Sequence, residues 1–280
     1  MLEVLAMPFM QRALVALVLT GLTFPAVGLL ILTLELIPAR FAVMHAALLG
    51  AAVALLLRVD VTLAAMIASL IAGAAIARMS EKGDISAGGY LGLVMTLTLG
   101  VAFIIFYKGN VHAIEAFNLF WGSVLALTDR DLVTVVLMAL VLIAFLTILY
   151  KEIQVVLYDR ELAEVVGVPA KWVYYALIVL VCLSVAVAMR VTGALLVDAV
   201  TILPAIAARQ VGKSLKGALL WGALFGTIDN LVGLGLAFVF DLPVSPAIIV
   251  VGAVVVLFSR VAAPSISNLK QASQRPVSLS

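Results

Sequence analysis

The chain has 280 residues, of which 65% are hydrophobic and only 11% are charged, and its mean hydropathy is +1.28. These values exclude an ordinary soluble domain and are typical of a protein that crosses the membrane several times. The net charge of +2 is too small to indicate binding to nucleic acid. The single cysteine, Cys182, excludes an intramolecular disulfide, and its apolar surroundings favour an inert buried thiol.

Long apolar runs dominate the sequence. Runs of about 17–25 apolar residues predict membrane-spanning helices, and the first run is too long to be a cleaved export signal. The predicted spans are, in chain order, 9–34, 42–57, 61–78, 90–107, 131–149, 172–189, 191–208, 216–240 and 246–260. We therefore expect an all-α fold, a polytopic transmembrane helix bundle of about eight or nine spans.

The domain organisation follows from the same pattern. Residues 1–262 are expected to form one transmembrane domain, and the polar tail 263–280 is expected to be disordered in the cytoplasm. The apolar stretch 112–127 lies between polar loops and is compatible with a re-entrant or interfacial helix. Within it, His112 and Glu115 have ligand-like spacing, but two such residues favour a solvated outer loop over a metal site.

The basic residues predict the orientation in the membrane. With the N-terminus outside, most of the 17 Lys and Arg residues fall on the side that carries the loop 150–171 and the C-terminus. An excess of basic residues in short loops marks the cytoplasmic side of a membrane protein. We therefore expect the loop 150–171 to lie in the cytoplasm.

This loop differs in character from the other connections. Asp159, Arg160, Glu161 and Glu164 lie on one side of a helical pattern that has Leu157, Leu162, Val165 and Val166 on the other. Gly167 and Pro169 then supply stop signals for a helix. The pattern predicts a short amphipathic helix at the membrane surface that contacts another protein. The alternative is a solvated linker, which would not need an apolar stripe.

Two carboxylates lie inside apolar stretches. Asp198 stands near the middle of 190–209, which Gly193 and Pro204 interrupt, and Asp229 stands within 216–240. A charged residue at the centre of a membrane helix costs roughly 2.5–3.5 kcal/mol on insertion scales, so such residues usually have a pathway or a partner. Arg190 and Arg209 lie 8 and 11 residues from Asp198, beyond its reach within one helix. These facts favour a role for Asp198 in a transport path.

Five stretches in the same order resemble the permease subunits of the ABC-type importers of zinc, manganese and iron. They are MPFMQRAL at 7–14, MHAALLGAA at 44–52, YDRELAEVVGVP at 158–169, VTGALLVDAVTILPAIAAR at 191–209, and DLPVSPAIIV at 241–250. The resemblance implies a permease domain in the cytoplasmic membrane of a bacterium or archaeon. It also implies a permease homodimer, two copies of an ATP-binding subunit and an extracytoplasmic solute-binding protein.

The resemblance assigns a role to the amphipathic loop. In this family the corresponding stretch is the coupling helix, which sits in a groove of the ATPase, and the positions carried over are Asp159, Glu161, Ala163 and Gly167. No GxxxxGK[ST] pattern occurs in the chain. The permease is therefore expected not to be an enzyme and to bind no cofactor, with ATP hydrolysed by the partner subunit.

The chain departs from the family at one expected ligand position. Metal-transporting members commonly have Asp, three residues and then His at the start of the second span, but here Phe41 precedes His45. Asp198 could supply the missing carboxylate from another helix, and Met44 could add a soft thioether ligand. The predicted pathway residues are His45, Asp198, Asp229 and Met44.

Each of these pathway residues also has a structural interpretation. His45 could be a hydrogen-bonded histidine without ligand function, and Met44 favours packing over ligation. Asp229 could bond a neighbouring helix or pack at a dimer interface. These alternatives stay open at the level of the sequence.

The sequence also leaves the substrate open. The transported solute could be zinc, manganese or iron, and the loss of the aspartate makes a metal chelate or another small solute an alternative. A secondary transporter driven by an ion gradient is a further alternative, but it would not explain the amphipathic loop. An intramembrane aspartyl protease is disfavoured, because neither Asp198 nor Asp229 has the flanking residues of such enzymes.

Overall fold

The structure is a computed structural model that describes residues 7–82, 87–109, 124–193 and 196–262. In these ranges the chain forms helices and no strand. The helices are α1 Pro8–Thr33, α2 Ile37–Leu57, α3 Val61–Lys82, α4 Ala87–Lys108, α5 Asp129–Ile148, α6 Tyr150–Tyr158, α7 Arg160–Val165, α8 Ala170–Thr192, α9 Val197–Val211, α10 Leu215–Phe240 and α11 Val244–Ala262. The tail 263–280, His112 and Glu115 lie outside the described residues.

The all-α polytopic bundle is confirmed. Seven of the described helices are long and apolar enough to cross a membrane, and α3 adds a shorter apolar segment, Val61–Ile76. Each predicted span corresponds to one helix with boundaries shifted by a few residues. The apolar runs were therefore sufficient to locate the helices, since length and hydropathy are the properties that a bilayer selects.

One predicted boundary is wrong, and the amphipathic loop is divided where a single helix was predicted. The predicted span 191–208 is displaced, because α8 continues to Thr192 and α9 begins only at Val197. Gly193 ends α8 with a φ of 80°, which a residue with a side chain rarely adopts. The amphipathic loop forms two short helices, α6 and α7, because the backbone becomes extended at Asp159, with a φ of −159° and a ψ of 125°.

The helices form two groups that α8 connects. In one group α1 packs against α9 and α10, and α11 packs against α9 and α10. In the other group α2 packs against α3 and α4. Helix α8 contacts α1, α2 and α3, so it bridges the two groups.

Close helix packing in the first group depends on glycine. A Cβ atom on Gly21 of α1 would lie 2.7 Å from the carbonyl oxygen of Gly226 in α10, closer than real Cβ contacts. A Cβ atom on Gly28 would overlap the carbonyl oxygen of Thr201 in α9. Small residues that let backbones approach are a common means of helix association in membranes. They fix α9, the helix that carries Asp198, against α1.

One end of the bundle is fixed by polar contacts. The hydroxyl of Thr128 accepts a hydrogen bond from the backbone N–H of Asp131, and the Asp131 carboxylate accepts one from the N–H of Thr128, so α5 begins with a capping box. Arg12 of α1 forms an ion pair with Asp129, with 3.0 Å between Nη1 and Oδ1. The start of α1 and the start of α5 therefore lie at the same end of the bundle.

Candidate transport path and coupling segment

Residues 158–169, named the coupling segment after the role that the family resemblance implies, are built around the short helix α7. The Asp159 carboxylate accepts hydrogen bonds from the backbone N–H groups of Glu161 at 2.8 Å and Leu162 at 3.0 Å, which makes it the N-cap. Asp159 therefore sets the point at which α7 begins.

Gly167 ends this helix in a Schellman motif. The N–H of Val168 donates to the carbonyl of Ala163, and the N–H of Gly167 donates to the carbonyl of Glu164. This pattern places Gly167 in the left-handed region, with a φ of 84°. No atom lies within 4 Å of a Cβ built on Gly167, so the positive φ rather than space requires glycine here.

The coupling segment is attached to the bundle on one side and open on the other. Ala163 is fully buried, and the Arg160 guanidinium lies over the ring of Tyr174 in α8, with its carbon 3.1 Å from the ring centroid. The apolar side chains that point away from the bundle are exposed, namely Tyr158, Leu162, Val165 and Val166. Glu161 and Glu164 are exposed beside them. This surface has the apolar centre and polar border of a docking site.

Asp198 is paired with a residue from another helix. It is the second residue of α9, in the first turn rather than at mid-span, and its carboxylate forms an ion pair with the guanidinium of Arg40 in the first turn of α2. The Arg40 side chain is 2% exposed, whereas that of Asp198 is 40% exposed. The partner considered from the sequence was Arg190 or Arg209, and the structure supplies Arg40 instead.

His45 and Met44 lie one turn further along α2. The ring Nδ1 of the half-buried His45 lies 2.7 Å from the carbonyl oxygen of Phe41, and a histidine bonded to its own helix fits the structural interpretation. Met44 is buried and stands four residues after Arg40, on the same face of α2. Phe41 fills the position of the missing aspartate, and Arg40 lies over its ring at 4.3 Å from the centroid.

Asp229 and Asn230 face different neighbours from the middle of α10. Asn230 donates a hydrogen bond to the carbonyl of Leu17 in α1, at 2.7 Å. Asp229 is almost fully buried, and neither of its carboxylate oxygens has a hydrogen-bond partner among the described residues. A Cβ on Gly252 of α11 would lie 3.2 Å from Asp229 Oδ2, so Gly252 leaves the space that this carboxylate occupies.

The structure does not gather the predicted pathway residues into one metal site. No three His, Cys, Asp or Glu side chains lie close enough to hold a metal ion in the part of the chain that the structure describes. The pairing that does form, between Arg40 and Asp198, involves a residue that was not predicted. The sequence signal for this pair was Arg40, directly before Phe41. Arg40 lay outside the predicted span 42–57 but lies inside helix α2.

Comparison with known proteins decides the family. Residues 6–263, nearly the whole chain, match the ABC 3 transport family. The chain belongs to the ABC 3 transport family. It is a multi-pass permease of the cytoplasmic membrane, as the resemblance in its five stretches implied, and the coupling segment described above lies within the matched residues.

Relatives within the ABC 3 family match over most of their length. The chain is 26% identical over 258 residues to the manganese transport system membrane protein MntC of Listeria monocytogenes, covering 91% of each chain. It is 25% identical to the high-affinity zinc uptake system membrane protein ZnuB of Haemophilus influenzae, covering 77% of this chain and 82% of the relative. The solved structure of PsaBC from Streptococcus pneumoniae in complex with Fab matches with a TM-score of 0.86 and 25% identity, covering 97% of this chain and 98% of that chain.

Proposed function

We propose that this permease imports a divalent metal ion, manganese or zinc, in a complex driven by ATP hydrolysis in a separate subunit. The relatives named for manganese and zinc transport support the metal, since they align over most of both chains. Iron stays a third candidate, because imidazole and carboxylate ligands suit all three ions. An extracytoplasmic binding protein would deliver the ion, and the chain itself would need no cofactor.

The observation that carries the ATP-driven mechanism is the coupling segment. Ala163 and Arg160 attach it to the bundle, whereas Leu162 and Val165 are exposed on its other side. A movement of a docked ATPase would therefore pass through α7 into α8, which bridges the two helix groups. An ion-gradient-driven transporter would have no use for such a surface.

A homodimer is part of the proposal. No three-ligand metal site forms among the described residues of one chain, whereas two copies related by symmetry would present each ligand twice. His45, Met44 and Asp198 are proposed to contribute to the path because α2 and α9, which carry them, meet at the ion pair between Arg40 and Asp198. Asp229 is proposed as a further path residue, because an unpaired carboxylate inside a membrane helix is costly unless it serves a function.

The alternative substrate is a metal chelate or another small solute. Phe41 stands at the position where the family resemblance implies an aspartate, and Arg40 lies over its ring, so the expected first ligand for a bare ion is missing from α2. A larger solute would not need that ligand. Uptake of chelated metal in preference to the free ion would support this alternative.

Metal uptake by variants of His45 tests the path. His45→Ala is expected to lower manganese or zinc uptake at least about tenfold, because loss of one metal ligand or its support costs this much. The amount of permease that copurifies with the ATPase subunit should be unchanged. Ser69→Ala, which alters a buried polar residue of α3 outside the proposed path, is the control. Wild-type uptake in His45→Ala would remove His45 from the path.

A further inference from the structure

The Arg40–Asp198 pair is the principal link between two helices that otherwise barely meet. Among the described residues α2 and α9 make few other contacts, because α2 packs mainly on α3 and α4 while α9 packs on α1, α10 and α11. The ion pair therefore spans the boundary between the two helix groups. Breaking it would free α2 from α9 without disturbing the core of either group.

The two partners differ in their surroundings. Arg40 is buried and its guanidinium lies against the ring of Phe41, so this charge is held on α2. Asp198 is 40% exposed on its other side. A carboxylate inside a membrane protein faces water or another polypeptide rather than lipid, so the open side of Asp198 borders an aqueous path or a second copy.

The chemistry of the pair resembles that of a metal ion bound to a carboxylate. Arginine does not lose its proton in proteins, so its positive charge is permanent. The Asp198 oxygens that it neutralises are hard ligands that Mn²⁺ and Zn²⁺ also accept. Met44 is buried one helical turn after Arg40 on the same face of α2, which makes its thioether a candidate further ligand.

We propose that Arg40 is a built-in substitute for the transported cation. Its guanidinium pairs with the Asp198 carboxylate when no substrate is present, and the metal ion displaces it on binding. Arrival of the ion at the open side of Asp198 would release the guanidinium and thereby separate α2 from α9. Arg40 would thus set the affinity for the ion and couple its binding to a movement between the helix groups. This inference rests on the proposed import of a divalent cation.

Equilibrium binding of radioactive Mn²⁺ and Zn²⁺ to the purified permease–ATPase complex tests the inference. Four proteins are compared: wild type, Arg40→Met, Asp198→Asn and the double variant. Removing the competing charge in Arg40→Met should increase metal affinity by about tenfold or more, by analogy with the effect of a neighbouring cation on proton binding to a carboxylate. Asp198→Asn should weaken binding, and in that background Arg40→Met should have no further effect.

The non-additivity of the two changes is the deciding result. An equal effect of Arg40→Met in both backgrounds, or no effect in either, would overturn the inference. Arg40→Lys keeps a cation at this position, so it should increase metal affinity less than Arg40→Met does. The double variant has no charge at either position of the pair and should assemble with the ATPase. Its failure to assemble would show that the pair is needed for folding. That result would also overturn the inference.

The same titration separates the inference from the proposed function. If the wild-type complex binds neither ion, the proposed metal substrate is contradicted and the inference falls with it. If the wild-type complex binds metal but Arg40→Met leaves the affinity unchanged, the proposed function stands and the role of Arg40 alone is refuted.

Discussion

Single residues of this permease owe their roles to neighbours that are distant in sequence. Asp198 is a carboxylate in an apolar stretch, and its charge is balanced by Arg40, which is distant in sequence and lies on another helix. Asp229 and Asn230 are adjacent in sequence, yet one bonds α1 and the other has no hydrogen-bond partner among the described residues. Successive helix residues point about 100° apart, which explains why neighbours in one helix meet different surroundings.

Gly167 gives a prediction at the residue scale. Because its φ is 84° and no atom lies within 4 Å of a Cβ placed there, Gly167→Val should cost about 1–2 kcal/mol through backbone strain alone. The Schellman motif should then open and the coupling segment should lose its shape. We expect a several-fold decrease in ATPase subunit that copurifies with the permease.

Asparagine is the matched control at this position, because it tolerates the left-handed region better than a β-branched residue. Gly167→Asn should retain most of the copurifying ATPase. Equal losses of copurifying ATPase for the valine and asparagine variants would contradict a decisive role of the backbone conformation. They would indicate instead that the partner excludes any side chain at this position.

At the scale of elements, the proposed docking surface is an exposed apolar patch on a short, well-capped helix. Val165 is 81% exposed, although a valine in a single folded chain would ordinarily be buried. Val165→Glu should reduce recovery of the ATPase subunit at least about tenfold, since a charge would enter the centre of an apolar interface. Lys151→Glu, at an exposed position on α6, is the control and should assemble normally.

Helix packing makes a second prediction at this scale. Gly226 lies against the backbone of Gly21 and the ring of Pro25, so Gly226→Leu should force α1 and α10 apart. Overpacking typically costs about 1–3 kcal/mol, and the thermal midpoint of the detergent-solubilised permease should fall. A Cβ on Gly235 of the same helix finds no neighbouring atom within 4 Å among the described residues, so Gly235→Leu should leave the midpoint unchanged. Equal midpoints for both variants would contradict the close contact of α1 with α10.

At the scale of the whole molecule, the sequence predicted the helices much better than the site. Hydropathy alone located the spans, because the bilayer imposes length and apolarity on each helix separately. The Arg40–Asp198 pair was missed because it depends on how α2 and α9 are placed relative to each other. The separation of α6 from α7 at Asp159 was not predicted, because the amphipathic pattern continues across this residue. Asp159 itself is a typical N-cap residue and was the available signal.

The central claim is that the coupling segment links metal import through the permease to ATP hydrolysis in the partner subunit. Its most direct test is the rate of ATP hydrolysis by the complete complex in liposomes, with its binding protein, during titration with manganese, zinc, iron or a metal chelate. We predict stimulation by manganese or zinc in the wild type and loss of this stimulation in Asp198→Asn, with the complex intact. Stimulation by none of the three ions, or equal stimulation of wild type and Asp198→Asn, would contradict the account.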